Sequence, residues 1–239
     1  MELIAETSPR FKARLAGAFY LLTFVTGGLA IFARHGLVVE GDAAATATNI
    51  LAHESLFRLG TAADLLVVAC YIAVTALFYD LFKPVNRSGS LLAAFFILVG
   101  CAVLAFTCLF QLAPFVVLRG AQYSSVFKVE QLQALAYMSL ELYGQAYSIA
   151  VVCFGFYCLL IGYLIFKSAF LPRFLGGLMV IAGLAWLTFL SPPLATSLSP
   201  YILAPGILGE GSLAVWLLVS GVNVPRWQEK ARAWRVGGA

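Results

Sequence analysis

Six stretches of about 20 or more mostly apolar residues divide this chain of 239 residues, and about 20 helical residues cross a hydrocarbon core of about 30 Å. They run from just after Arg14 to about Ala33, then Leu59 to Phe82, Leu91 to Leu118, Leu142 to Phe166, Phe174 to Leu194 and Tyr201 to Val222. Only 11% of the residues are charged, against about a quarter in soluble domains, too few to cover a water-facing surface. The expected fold is therefore all-α: an integral membrane bundle of six transmembrane helices over residues 1–222, followed by a basic, Trp-containing tail over residues 223–239.

The connections set the expected sidedness, because Lys and Arg accumulate on the cytoplasmic side. Arg10, Lys12, Arg14, Lys83, Arg87, Lys167, Arg173, Arg226, Lys230, Arg232 and Arg235 fall on one side; Arg34, Arg58, Arg119 and Lys128 fall on the other. Eleven against four puts both termini in the cytoplasm. A secretory signal has a shorter apolar core, so the first run is read as a retained span. The short cytoplasmic turns carry Pro84 and Pro172, which stop the preceding helices. Two outer connections are longer. In one, Asp42 is a candidate N-cap before the apolar face Ala43, Ala47, Ile50 and Leu51; in the other, Val129 to Leu140 aligns Leu132, Leu135, Ala136 and Leu140. Both are expected to be short surface helices. In the tail, Trp227, Ala231 and Trp234 share a helical face amid basic residues, an interfacial anchor pattern, with partner binding as the alternative.

Ionisable groups inside a span are functional hypotheses by default. Asp64 lies about 8 Å into the second span, Gln111 about 10 Å into the third and Glu210 about 14 Å into the sixth, at 1.5 Å per helical residue. Thr61, Asp64, Tyr71 and Thr75 form one polar stripe, and Glu141, Gln145 and Ser148 a second. If both stripes turn inward they line an outward-facing polar cavity, with Arg58, Asp64, Tyr71, Gln111, Glu141, Gln145 and Glu210 as the expected ligand-binding set. Arg58 is expected to pair with Asp64 or Glu141, the alternative being a side chain that snorkels to the interface. Asp80 and Lys83 read as a solvated surface pair. The sequence APGILGEGS, with Pro205, Gly206, Gly209 and Gly211 around Glu210, suggests a helix broken at membrane depth to build a site. The competing reading is that these small residues admit close helix packing.

Other chemistries find little footing. The cysteines Cys70, Cys101, Cys108, Cys153 and Cys158 lie in apolar runs without a CxxC, as buried thiols do. His35 and His53, the only histidines, have no third partner at metal spacing, so no metal is expected. No Walker loop, GxSxG or HExxH occurs, no cofactor is expected, and no basic domain suits nucleic acid.

The runs GDAAATATNILAHESLFRLGTAADLL, LFKPVNRSGSLLAAFF and GYLIFKSAFLPRFLGGLMVIAGL resemble the bacterial membrane proteins grouped as domain of unknown function 4386, over about Arg14 to Val222. The resemblance implies a six-span bacterial inner-membrane protein and no particular activity. Members of that family often carry a His near the start of the fourth span, where this chain reads LELYGQAYS. The polar residues leave three functions open. One is binding or moving a small molecule or lipid, with the bilayer as partner and a homo-oligomer compensating for small size. Another is a structural or regulatory role without ligand. The third, ranked last for want of a nucleophile and base, is a carboxylate-dependent intramembrane enzyme.

Overall fold

A computed structural model describes residues 8–120, 123 and 125–237; residues 1–7 of the polar leader and the last two of the tail lie outside the described residues. The described elements are helical: α1 Pro9–Arg34, α2 Ala43–Ala52, α3 Glu54–Phe82, α4 Arg87–Arg119, α5 Val129–Ser168, α6 Arg173–Leu187 with a 3-10 turn Thr188–Leu190, α7 Pro192–Leu198, α8 Leu203–Val219 and α9 Val224–Gly237. Five helices are long and apolar enough to cross a membrane, and α7 with α8 makes a sixth if that pair, bent by 82°, counts as one span.

Helix starts follow the local chemistry. Asp42 accepts from Ala45 N at 2.8 Å and Asn86 accepts from Gly89 N at 2.8 Å, each satisfying a free donor of the first turn. At the end of α5 the chain takes a left-handed turn at Ala169, before Pro172 opens α6.

Six helices close into a ring, each packing on the next in the order α1, α3, α4, α5, α6, α8 and back to α1. Glycines permit the closest crossings. Gly155 faces Gly183 and Gly162 faces Gly176 across α5 and α6, where an added Cβ would fall 3.1 and 2.8 Å from the facing carbonyl oxygen. On antiparallel helices two glycines seven residues apart meet two others seven apart, so backbones can touch along two turns. Gly17 does the same between α1 and α8, with an added Cβ 2.5 Å from Leu218 N. The core within the ring is mainly aromatic and aliphatic, including Phe78, Phe82, Ile161, Leu164 and Ile165.

The second outer connection departs from expectation. Residues 129–140 are not a separate surface helix but the start of the 40-residue α5. Nothing in VEQLQALAYMSLELYG breaks the helix before the apolar run begins, so the helix continues, about 60 Å at 1.5 Å per residue, and overshoots the bilayer. Its first turns pack on α2, with Tyr137 OH accepting from Gly41 N at 2.9 Å. Leu37, Ile50, Phe57 and Phe115, with Leu112 and Leu140 against them, form an apolar cap on this side. On the opposite face α9 docks on the bundle through Trp227, whose indole donates to Leu81 O at 3.0 Å, and through buried Ala231. The beginning of α1 is on that same face, since Lys12 pairs with Asp80 near the end of α3 at 2.8 Å.

Candidate functional site

The expected break around Glu210 does not occur. The helix α8 runs unbroken from Leu203 to Val219, and the bend lies before it, between residues 198 and 203. Pro205 falls in the first turn, where its missing N–H leaves no intrahelical bond unmade. The glycines are packing surfaces instead. A Cβ on Gly206 would sit 2.0 Å from Trp186 Cζ2, and one on Gly209 would sit 2.6 Å from Leu178 O.

That close approach lets the Trp186 indole cross Gly206 and donate to Glu210 Oε1 at 2.8 Å. Tyr20 OH donates to Glu210 Oε2 at 2.6 Å, and Tyr71 OH to the same oxygen at 3.0 Å. Four helices of the ring thus converge on one carboxylate, which is 4% exposed. The phenols are held in place by rings: Tyr20 packs edge-on against Tyr71 and Phe78, and Tyr71 lies 5.0 Å from Phe154. Among the described residues Glu210 makes no ion pair, so neutral donors alone compensate it. Tyr20→Phe and Tyr71→Phe are each expected to destabilise the protein by about 1–3 kcal/mol, the cost of leaving a buried polar group short of a partner. The double variant should lose less than the sum because both phenols share one oxygen. Unfolding in mild detergent measures this; unchanged stability in both single variants would mean the phenols do not hold the carboxylate.

A second polar layer lies two turns away along α3, about 10 Å from Tyr71 to Asp64 at 1.5 Å per residue. Arg34 Nη1 donates to Asp64 Oδ2 at 2.8 Å and to Gln111 Oε1 at 3.2 Å. Gln111 Nε2 donates to the same Asp64 oxygen at 2.8 Å, and Thr61 Oγ1 donates to Gln111 Oε1 at 2.7 Å. Gly60 makes room for the arginine: a Cβ there would lie 3.1 Å from Nη1. The Tyr143 ring flanks the guanidinium at 5.7 Å. The apolar cap lies one turn further out on each helix, through Phe57, Phe115 and Leu140.

The predicted residues therefore separate. Asp64 and Gln111 share one network, and Tyr71 and Glu210 share the other. The expected pairing of Arg58 with Asp64 or Glu141 is overturned: Arg58 binds Glu54 at 2.8 Å, Arg119 also binds Glu54, and Arg58 lies over the Phe115 ring at 4.5 Å. Six residues on a helix of 3.6 per turn place Arg58 and Asp64 about 120° apart around α3, so they cannot meet. Glu141 and Gln145 are exposed. Gln145 and Ser148 line a groove of about 680 Å³ between α5 and the α6–α7 region, together with Phe189, Thr196 and Ser199. Phe189 lies 6.4 Å, ring to ring, from Trp186. On the opposite face Asp80 binds both Lys83 at 2.7 Å and Lys12 at 2.8 Å, and all three are partly buried rather than fully solvated.

Sequence reasoning missed Arg34, Tyr20 and Trp186. Arg34 closes the first apolar run and reads as a loop cation; its position one residue beyond the span, within side-chain reach of the spans, is the signal that could have found it. Tyr20 and Trp186 are single aromatics in apolar runs and carry no local signal.

A ring of six helices, five of them long and apolar enough to cross a membrane, with ionisable groups buried between them and their backbone bonds made within each helix, defines a multi-pass α-helical membrane protein. The chain belongs to the DUF4386 family, described as a domain of unknown function, whose model matches residues 15–221. An uncharacterized protein of Archaeoglobus fulgidus is 27% identical over 159 residues, covering 65% of this chain and 80% of that protein. That relative is archaeal. No solved structure matches the chain.

Proposed function

We propose that this protein binds, or moves, a small amphiphilic molecule taken from the bilayer, seated in the groove between α5 and the α6–α7 region. The observation that carries this reading is the groove itself. Its volume of about 680 Å³ falls within the roughly 300–1,000 Å³ of ligand pockets. Its wall is apolar through Ile149, Val152, Leu190 and Ile202, with Gln145, Ser148, Thr196 and Ser199 as polar points that fix an orientation. One lining residue, Phe189, neighbours Trp186, which holds Glu210. A ligand that shifts Phe189 therefore has a short mechanical route to the one buried carboxylate that neutral donors alone compensate among the described residues.

The reading places the α9 face in the cytoplasm, in a prokaryotic cytoplasmic membrane, on the same charge asymmetry. On the opposite face Arg34, Arg58 and Arg119 are drawn into pairs with Asp64 and Glu54, which leaves the free positive charge still more one-sided. A homo-oligomer is compatible with the exposed apolar faces. The ligand-free alternative, in which both polar layers only lock the ring, is favoured by their mutual saturation.

Mass spectrometry of an organic extract of protein purified in mild detergent tests the proposal. Wild type is expected to retain a bilayer-derived molecule that Ser148→Trp and Ala195→Trp, which fill the groove from opposite walls, largely lose while melting near the wild-type temperature. Identical extracts from all three proteins would sink it.

A further inference from the structure

A second groove, of about 750 Å³, opens on the other face of the molecule, between α1, α3 and α9. Its deep part is apolar and lies on membrane-spanning helices: Leu15 and Phe19 of α1, and Ala73, Ala76 and Leu77 of α3. The two alanines leave a trench beside Phe19. Its mouth is charged. Lys12, Lys83 and Arg235 line it with a single carboxylate, Asp80, a net charge of +2.

Asp80 bridges the two lysines, 2.8 Å from Lys12 Nζ and 2.7 Å from Lys83 Nζ. Each ammonium carries three donors, so one bond to Asp80 fixes its position and leaves donors for a second acceptor. The carboxylate therefore presents two ammonium groups side by side rather than cancelling them. Trp227 is fixed by its bond to Leu81 O, while Trp234, 40% exposed, forms the outer lip.

We infer that this groove is a binding site for an anionic glycerophospholipid of the leaflet on the α9 face. One acyl chain lies in the alanine trench, and the headgroup phosphate meets Lys12, Lys83 and Arg235. Charge complementarity selects the headgroup. The position of the trench on lipid-facing spans selects an acyl chain over a water-soluble anion, since a buried CH₂ in such a site contributes where inorganic phosphate has none. Basic pockets between helices at a membrane face suit this chemistry. The occupant also bridges α9 to α1 and α3, so it fastens the tail helix to the bundle.

The test is the thermal shift of the full chain, purified in mild detergent, on titration with dioctanoyl phosphatidylglycerol, dioctanoyl phosphatidylcholine and inorganic phosphate. Phosphatidylglycerol is expected to raise the melting temperature saturably, phosphatidylcholine far less, and phosphate not at all. Arg235→Gln should weaken the phosphatidylglycerol response about fivefold, the change equivalent to about 1 kcal/mol per cation near a charged surface. Ala76→Phe, which fills the trench and touches no charge, should abolish the preference for phosphatidylglycerol while leaving the lipid-free melting temperature near wild type. Ser148→Trp, in the other groove, should leave the response intact, so this site and the proposed function fail separately. Equal shifts with both lipids, a matching shift with phosphate alone, or an unchanged response in Ala76→Phe would each overturn the inference.

Discussion

Asp64→Ala is expected to destabilise the protein by about 3–5 kcal/mol, the cost of stranding one member of a buried ion pair. The guanidinium of Arg34 would keep only Gln111, at 3.2 Å, and the side chain is 14% exposed. Gln111 Nε2 would lose the same acceptor. The double variant Arg34→Met with Asp64→Leu should recover part of the loss, because two apolar side chains of similar volume leave no buried charge, although the Gln111 amide stays short of an acceptor. Unfolding in mild detergent, monitored by circular dichroism, reads both. If Asp64→Ala melts within about 0.5 kcal/mol of wild type, the ordinary scatter of surface substitutions, the pair is not sequestered. If the double variant is no better than the single one, the layer has a role that charge removal does not explain.

Gly206→Val is expected to be comparably damaging, by a different route. A Cβ at this position would lie 2.0 Å from Trp186 Cζ2 and 2.7 Å from Cη2, so the indole must leave its place between α6 and α8. Overpacking alone costs about 1–3 kcal/mol or more, and the lost donor to Glu210 adds about 1–3 kcal/mol for a buried group left short of a partner. Trp186→Phe separates the two: it removes the donor and keeps most of the ring. Tryptophan fluorescence gives the specific signature. Gly206→Val should shift the emission attributable to Trp186, taken as the difference from Trp186→Phe, toward that of a solvent- or lipid-exposed indole. A Gly206→Val protein with wild-type melting and wild-type emission would mean that α6 and α8 do not approach so closely.

Glu210→Gln distinguishes a locking role from a ligand-linked one. The indole N–H of Trp186 can only donate, so the amide must turn its oxygen to Trp186 and its NH₂ to the two phenols, which can accept. The geometry can therefore be kept without the carboxyl group. A variant that melts near wild type yet no longer couples ligand in the α5 groove to Trp186 emission would assign the carboxyl group to the linked function.

Much of the architecture was legible in the sequence because a bilayer imposes length and composition on every crossing segment. The first four apolar runs, the first surface helix with its Asp42 cap, and the stops near Pro84 and Pro172 are local matters that appear where their residues require; the fifth run, read to Leu194, instead ends its helix at Leu187 with a 3-10 turn to Leu190, and Pro192 opens α7. The readings that missed were those that depend on neighbours. Whether APGILGEGS breaks or packs turns on an indole from another helix. Residues 129–140 are the exception: their run into the span was a local matter, since nothing there stops the helix, and it was overlooked.

The site divides along the same line. That Asp64, Gln111, Tyr71 and Glu210 need partners follows from their being polar inside a span, since an unpaired buried polar group costs several kcal/mol in a medium without water. Which partners they take was decided by the closing of the ring. That closure brings the end of α1 to α3 and α4, delivering Arg34 to Asp64, and brings α1, α3 and α6 to one residue of α8, placing three neutral donors on Glu210. Periodicity shows which face of a helix is polar. Only the packing order of the helices, set by glycine contacts and aromatic shape over distances the sequence does not encode locally, shows what that face meets.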